Sequence, residues 1–174
     1  MRRTRFSLVA GVAAFALVAA ACGGGGDGGD GGDAGGGEKD CTWVIGTMGA
    51  LSGDYASVGQ PIADGVEYAV NQANESGEYP CEIAFTSEDS QGDPNQAPAL
   101  TEKIIGDETV VFCACPYFSG ETLATGQIFS DAGMAISGTG TNETIDEQGY
   151  TTWFRAVAPD NIQAEVAAQY ISEA

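Results

Sequence analysis

The sequence predicts an α/β protein built on a doubly wound parallel sheet, and three observations carry that expectation. From Thr42 onward, short runs of β-branched and aromatic residues alternate with stretches whose apolar residues recur at helical spacing. That rhythm places parallel strands in one sheet with helices on both faces. One run, "TVVFCAC" at residues 109–115, is almost wholly apolar, as expected of a strand buried on both faces. Proline near helix starts and glycine at helix ends punctuate the pattern, the asymmetry that helix termini favour.

The elements follow in order. "TWVIGTMGAL" reads as a strand and then a glycine-bearing loop. "QPIADGVEYAVNQANESG" places Ile62, Val66, Ala69, Val70 and Ala73 on one helical face, with Pro61 in the first turn and Gly77 as the stop. "CEIAFTSED" is a second strand. Asp93 and Pro94 then open a helix as cap and first-turn residue, with Leu100, Ile104 and Ile105 facing inward. "TVVFCAC" is the third strand. "SGETLATGQIFSDAG" is a helix with Ser119 as its N-cap; Thr122 stands three residues on, where a capping box would have glutamate or glutamine, so the box is incomplete. "MAISG" and "WFRAV" are strands four and five. A last helix starts near Asn161, with Ile162, Val166, Tyr170 and Ile171 on one side. The sequence stops at Ala174 with that apolar face uncovered, which is expected of a fragment or of a truncated gene.

The chain has 174 residues and a formal net charge of −19, with 25 acidic residues against 6 basic ones and no histidine. So acidic a surface repels nucleic acid, which sets aside a phosphate-binding role and reads as a solvated, soluble face. Without histidine there is no Ser-His dyad and no imidazole metal site. No cofactor and no metal are expected.

The N-terminus differs from the rest. "MRRTRFS" is a basic lead, and residues 8–21, "LVAGVAAFALVAAA", carry no charge. That apolar run suits a signal-peptide core and falls short of the ~20 residues a membrane-spanning helix needs. Small residues stand directly before Cys22, an arrangement that resembles a bacterial lipobox, although Ala19 replaces the more usual leucine. Residues 1–21 are therefore expected to be a lipoprotein signal peptide and Cys22 the lipidated mature terminus; the alternative is an ordinary cleaved secretory signal. Several acyl chains on one terminus anchor firmly where a single chain does not. The Arg2-Arg3 pair does not decide between Sec and twin-arginine export.

Residues 22–40 form a Gly/Asp-rich tether. Asp27, Asp30 and Asp33 keep it solvated, and its fifteen glycine-rich residues at 23–37 reach roughly 20 Å on random-coil scaling. Calcium binding by the "GGD" repeats lacks other ligands and a closing glutamate. The strand-helix alternation occupies the residues that follow, 41–174.

In open parallel sheets, ligands bind beyond the carboxyl ends of the strands. The loops "GALSGDYASVG", "CPYFSGET" and "SGTGTNET" occupy such places after strands one, three and four. Ser119 sits where strand three passes into a helix, so free N–H groups and the positive helix end face the crevice, and a carboxylate binds there without lysine or arginine. A plain N-cap role for Ser119 is compatible with this. Thr139 and Thr141 flank Gly140, where alternating residues aim a carbonyl and a hydroxyl at an ammonium group; a simple polar turn is the alternative.

The stretches "GALSGDYASVGQPIADGVEYAVNQAN", "EDSQGDPNQAPALTEKII", "FSGETLATGQIFSDAGMAISGTGTNETI" and "YTTWFRAVAPDN" together resemble the leucine/isoleucine/valine-type substrate-binding proteins of ABC transporters, which have the periplasmic-binding-protein type I fold. The likeness covers residues 42–174 in order. It implies two α/β lobes closing on a small ligand, with residues 41–158 as the N-terminal ligand-binding lobe and residues 159–174 as the first helix of the second, the rest of which is missing. By position, Ser119 would hold an α-carboxylate through its hydroxyl and amide. The Thr139 carbonyl and Thr141 hydroxyl would meet the α-carboxylate and α-ammonium. Phe118, Gly140 and Val58 would line the wall. Relatives for branched aliphatic amino acids often have an aromatic where Val58 stands, and a disulfide where Gly92 and Phe118 stand. The implied protein is a lipid-anchored, extracytoplasmic, non-enzymatic binder of an amino acid or similar small carboxylate or amide. An ABC permease would be its membrane partner. A ligand-sensing receptor domain of the same fold is the alternative. A nucleotide-binding enzyme fits less well, because "GTMGALSG" lacks GxGxxG spacing.

The cysteines suit an oxidising exterior. Cys41 and Cys81 each precede a strand, and those strands are neighbours in the doubly wound order, so the pair can bridge; two free thiols are the alternative. Cys113 and Cys115 fall on one strand face. A bond between them is expected to be strained, leaving burial as small apolar residues or pairing with a cysteine elsewhere.

Overall fold

The computed structural model describes residues 41–173. The signal peptide and tether read above, with Cys22, lie outside the described residues. Strands β1 (Thr42–Gly49), β2 (Glu82–Asp89), β3 (Val110–Ala114), β4 (Ile136–Gly138) and β5 (Trp153–Arg155) form a 5-stranded sheet in the order β2-β1-β3-β4-β5. Every neighbouring pair is parallel. This is a doubly wound sheet, and its strand order reverses between β1 and β3.

Alternation along the strands divides the side chains between two faces. Met48, Cys113 and Ile136 join Ala97 and Ile104 of α2 (Ala97–Ile105) and Phe129 of α3 (Ser119–Ala132) in the main core. Phe129, Met48 and Ile136 are fully buried, which contributes about 1.5–3 kcal/mol for each such side chain. On the other face lies α1 (Ala56–Ser76), where Ile45, Phe112 and Val66 border an apolar gap of about 560 Å³.

Five local expectations are corrected. First, β3 is not buried on both faces: Val111 is 49% exposed. The register against β1 passes from Val44↔Val110 to Ile45↔Phe112, so Val111 is the extra residue of a bulge, which a hydrophobicity pattern does not reveal. Second, α1 starts at Ala56 and Pro61 lies inside it rather than in its first turn. The Tyr55 carbonyl begins the helix by accepting from the Val58 and Gly59 amides. Pro61 then lacks only the N–H that would return to the Ser57 carbonyl, and both residues are exposed. The helix does stop at Gly77, which is left-handed at φ 67°.

Third, α3 is capped one residue earlier than expected. Phe118 is the N-cap and Ser119 the first helical residue. That shift makes Glu121 the third helical residue, and its carboxylate accepts from the Phe118 amide at 3.0 Å. Phenylalanine has no oxygen to return the bond, so this is half of a capping box. Fourth, Cys113 and Cys115 are bonded to each other. The strand ends at Ala114 and the chain turns, which leaves their Cα atoms 5.2 Å apart, inside the range a disulfide spans. A second disulfide joins Cys41 to Cys81 across the paired starts of β1 and β2.

Fifth, Asp93 and Pro94 do not open α2: its N-cap is Gln96 and its first-turn proline is Pro98. Asp93 instead makes the preceding turn, in which its side chain accepts from Asn95 and its carbonyl from Gln96 and Ala97. Helix α4 (Asp160–Glu173) has no buried residue, and Ile162, Val166, Tyr170 and Ile171 are all exposed. Among the described residues no helix is long and apolar enough to cross a membrane.

Candidate functional site

A switch in strand order makes a crevice, because the connections after β1 and β3 leave toward opposite faces. Here they are residues 50–55 and 115–118, joined by the loop after β4. Each is held in place by polar groups on its neighbours.

Asp89, at the end of β2, fixes the first loop. Its carboxylate accepts from the Leu51 amide at 3.0 Å, the Ser52 amide at 3.2 Å, the Ser52 hydroxyl at 2.5 Å and the Gln91 amide at 2.9 Å. Burial pushes this carboxyl up. The Ser52 hydroxyl and the Gln91, Leu51 and Ser52 amides outweigh it, so its pKa lies below the usual aspartate value.

Glu121 fixes the second loop. It is fully buried, accepts from the Phe118 amide, and receives a short hydrogen bond from the Ser90 hydroxyl. Ser90 in turn accepts from the Gly92 amide at 3.2 Å. One carboxylate thus ties the start of α3 to the loop after β2. Burial raises its pKa; the Ser90 and Phe118 hydrogen bonds pull it back, Asp93 adds to the rise, and the balance is upward.

The third loop packs onto the start of α3. The Ser119 hydroxyl accepts from the Asn142 amide at 3.1 Å, so its own proton stays free to donate. Gly140 is buried there: a Cβ on it would lie 3.3 Å from the Ser119 Cα, 3.1 Å from the Thr122 hydroxyl and 2.9 Å from Ile145 Cδ1. The Thr139 hydroxyl is spent on the Tyr117 carbonyl at 2.7 Å. Its own carbonyl accepts no hydrogen bond among the described residues. Arg155 clamps the far side, reaching the Thr141 and Asn142 carbonyls at 3.2 Å each and Asp146 at 2.7 Å. The Thr141 carbonyl also receives the Asp160 amide at 2.8 Å, while the residue itself is half-buried.

Phe118, Ser119, Thr139, Gly140 and Thr141 are therefore brought together. Ser119, Gly120 and Glu121 open α3, and their amides precede its first i→i−4 bond, from Thr122 to Phe118. Such amides and the helix dipole favour an anion. Val58 is 51% exposed and lies one turn from Tyr55, whose ring meets Phe118 edge to face at 5.7 Å. Sequence reasoning missed Tyr55, Glu121 and Arg155. The Glu at the third position of α3 was visible, but only with the cap placed on Phe118. Among the described residues no three His, Cys, Asp or Glu side chains cluster as metal ligands.

An open parallel sheet with polar loops converging at its switch point defines a doubly wound α/β domain. The periplasmic binding protein family matches residues 42–174, and the chain belongs to it. It is 32% identical over 173 residues, 98% of this chain, to the Leu/Ile/Val-binding protein homolog 1 of Brucella abortus, of which that match covers 42%. It is 28% identical over 130 residues, 74% of this chain and 35% of the relative, to an amino acid binding protein of Pseudomonas aeruginosa. A branched-chain amino acid transporter substrate binding protein from Streptococcus pneumoniae, solved with isoleucine, superposes with TM-score 0.70 at 24% identity. That match covers 76% of this chain and 38% of the other. A solute binding protein from R. palustris, solved with 4-hydroxybenzoate, gives 0.62 at 24% identity, over 74% and 36%. The chain thus spans 35% to 42% of the length of these sequence relatives. They are binding proteins by name, and the fold is the type I periplasmic-binding-protein fold.

Proposed function

We propose that this chain is the ligand-holding lobe of an extracytoplasmic solute-binding lipoprotein that serves an ABC importer. It binds an α-amino acid or a similar small carboxylate without chemical conversion. The observation that carries the reading is the start of α3. Its opening amides precede the first i→i−4 bond of the helix, the Ser119 hydroxyl accepts from Asn142 and so keeps its proton to donate, and the Thr139 carbonyl accepts no hydrogen bond among the described residues; these support the reading. A carboxylate is satisfied by the amides and the Ser119 hydroxyl, and an ammonium by the Thr139 carbonyl and Thr141 hydroxyl. Phe118, Gly140 and Val58 form the wall. Closure of a second lobe over the ligand would signal to the permease. Residues 1–21 would direct export, Cys22 would carry the lipid, and residues 22–40 would let the lobe reach solute and permease.

A thermal-shift panel of amino acids, urea, short amides and aromatic acids tests this. At least one α-amino acid should raise the melting temperature, weakly for this chain and more in a two-lobed form. Ser119→Ala should reduce that shift without unfolding the lobe. No response across the panel rejects the amino-acid reading.

A further inference from the structure

Beside the start of α3, the loops after β1 and β3 carry a pair of aromatic rings in contact with each other. Tyr55 ends the loop after β1 and is 57% exposed. Its ring meets Phe118 at 5.7 Å with an interplanar angle of 67°. Edge-to-face contact of this kind is favourable and fixes the two rings relative to each other. Their backbones are fixed as well. The Tyr55 carbonyl starts α1, and Phe118 caps α3 with its amide held by Glu121. Beneath them Gly92 is left-handed at φ 75°, and a Cβ there would lie 3.0 Å from the Phe118 ring and 3.3 Å from the Tyr55 ring. Glycine at 92 lets both rings settle over the loop that Ser90 and Asp89 hold.

Phe118 immediately precedes Ser119, so a carboxylate on the first amides of α3 has an aromatic ring as its next neighbour. Within the same turn of α1, Val58 is exposed and small, which leaves room beside Tyr55. A ring that is preorganised and yet largely open to water loses little freedom when a second apolar surface covers it.

We propose that Tyr55 and Phe118 together form the specificity wall of the site, and that it selects α-amino acids with an aromatic side chain over aliphatic and charged ones. This rests on the reading of Ser119 as the carboxylate anchor. Tyr55 sets the side-chain preference, and Ser119 sets binding of every α-amino acid alike.

The test is a set of NMR titrations of the purified chain with phenylalanine, leucine and glutamate, repeated with Tyr55→Leu, Tyr55→Phe and Ser119→Ala. Phenylalanine should bind most tightly and move the Tyr55 and Phe118 ring resonances. Tyr55→Leu should weaken phenylalanine by about tenfold, the size of one well-made contact, while leucine changes little and Tyr55→Phe retains the preference. Ser119→Ala should weaken all ligands in parallel. If Tyr55→Leu leaves phenylalanine unchanged while Ser119→Ala weakens it, the aromatic wall is wrong and the anchor survives. If no amino acid shifts any resonance of the crevice, both fall together.

Discussion

Adding one methyl group at Gly140 should loosen the site from within. The new Cβ would stand 2.9 Å from Ile145 Cδ1, 3.1 Å from the Thr122 hydroxyl and 3.3 Å from the Ser119 Cα. The isoleucine tip can rotate away, so that contact is cheap. The Ser119 Cα is backbone and opens α3, so it yields only if the helix start or the loop after β4 moves by a few tenths of an ångström. Overpacking of this kind costs about 1–3 kcal/mol. For a lobe of this size each kcal/mol lowers the melting temperature by roughly 3–5 °C. Gly140→Ala should therefore melt about 3–15 °C below the parent by calorimetry, and the Asn142 amide resonance should move as its bond to Ser119 stretches. A melting temperature equal to the parent's, with the Asn142 amide in place, would refute the close packing of Gly140 on Ser119.

Other outcomes follow from the same contacts. The Glu121 pKa is raised in the folded protein, so its contribution to stability is fully present below the ordinary glutamate value of 4.5 and is lost as pH rises through the folded value. Glu121→Gln should remove that decline, so melting curves of the two proteins should diverge as pH rises above 4.5; parallel curves would contradict it. Asp89 has the opposite sign, with its pKa lowered, and Asp89→Asn should matter least at acid pH and most above the ordinary aspartate value of 3.8. Replacing Cys41 and Cys81 by serine opens a 40-residue loop, and should cost about 4 kcal/mol in chemical denaturation on the chain-entropy model.

The alternation of strands and helices was legible because each element has its own periodicity and its own punctuation. Gly77 acts where it was expected, whereas Asp93 forms a turn three residues ahead of the N-cap Gln96. What was hidden depends on partners distant in sequence. The Val111 bulge exists only in register with β1, and Glu121 has a role only because Ser90, 31 residues earlier, lies against it. The start of α1 was hidden because Pro61 is usually read as a first-turn residue, whereas here the Tyr55 carbonyl begins the helix. The grouping of Ser119, Thr139, Gly140 and Thr141 was readable from loop chemistry, since these loops follow consecutive strands. Tyr55 was not, because its importance lies in one ring contact with Phe118 across 63 positions.

The proposed binding mode requires the opening turn of α3 to receive the ligand's carboxylate. An amide-resolved NMR titration of the chain with phenylalanine, beside its decarboxylated analogue phenethylamine, addresses it most directly. The Ser119, Gly120 and Glu121 amides should shift with phenylalanine and stay still with phenethylamine. Equal shifts with both compounds, or shifts confined to other parts of the lobe, would contradict it.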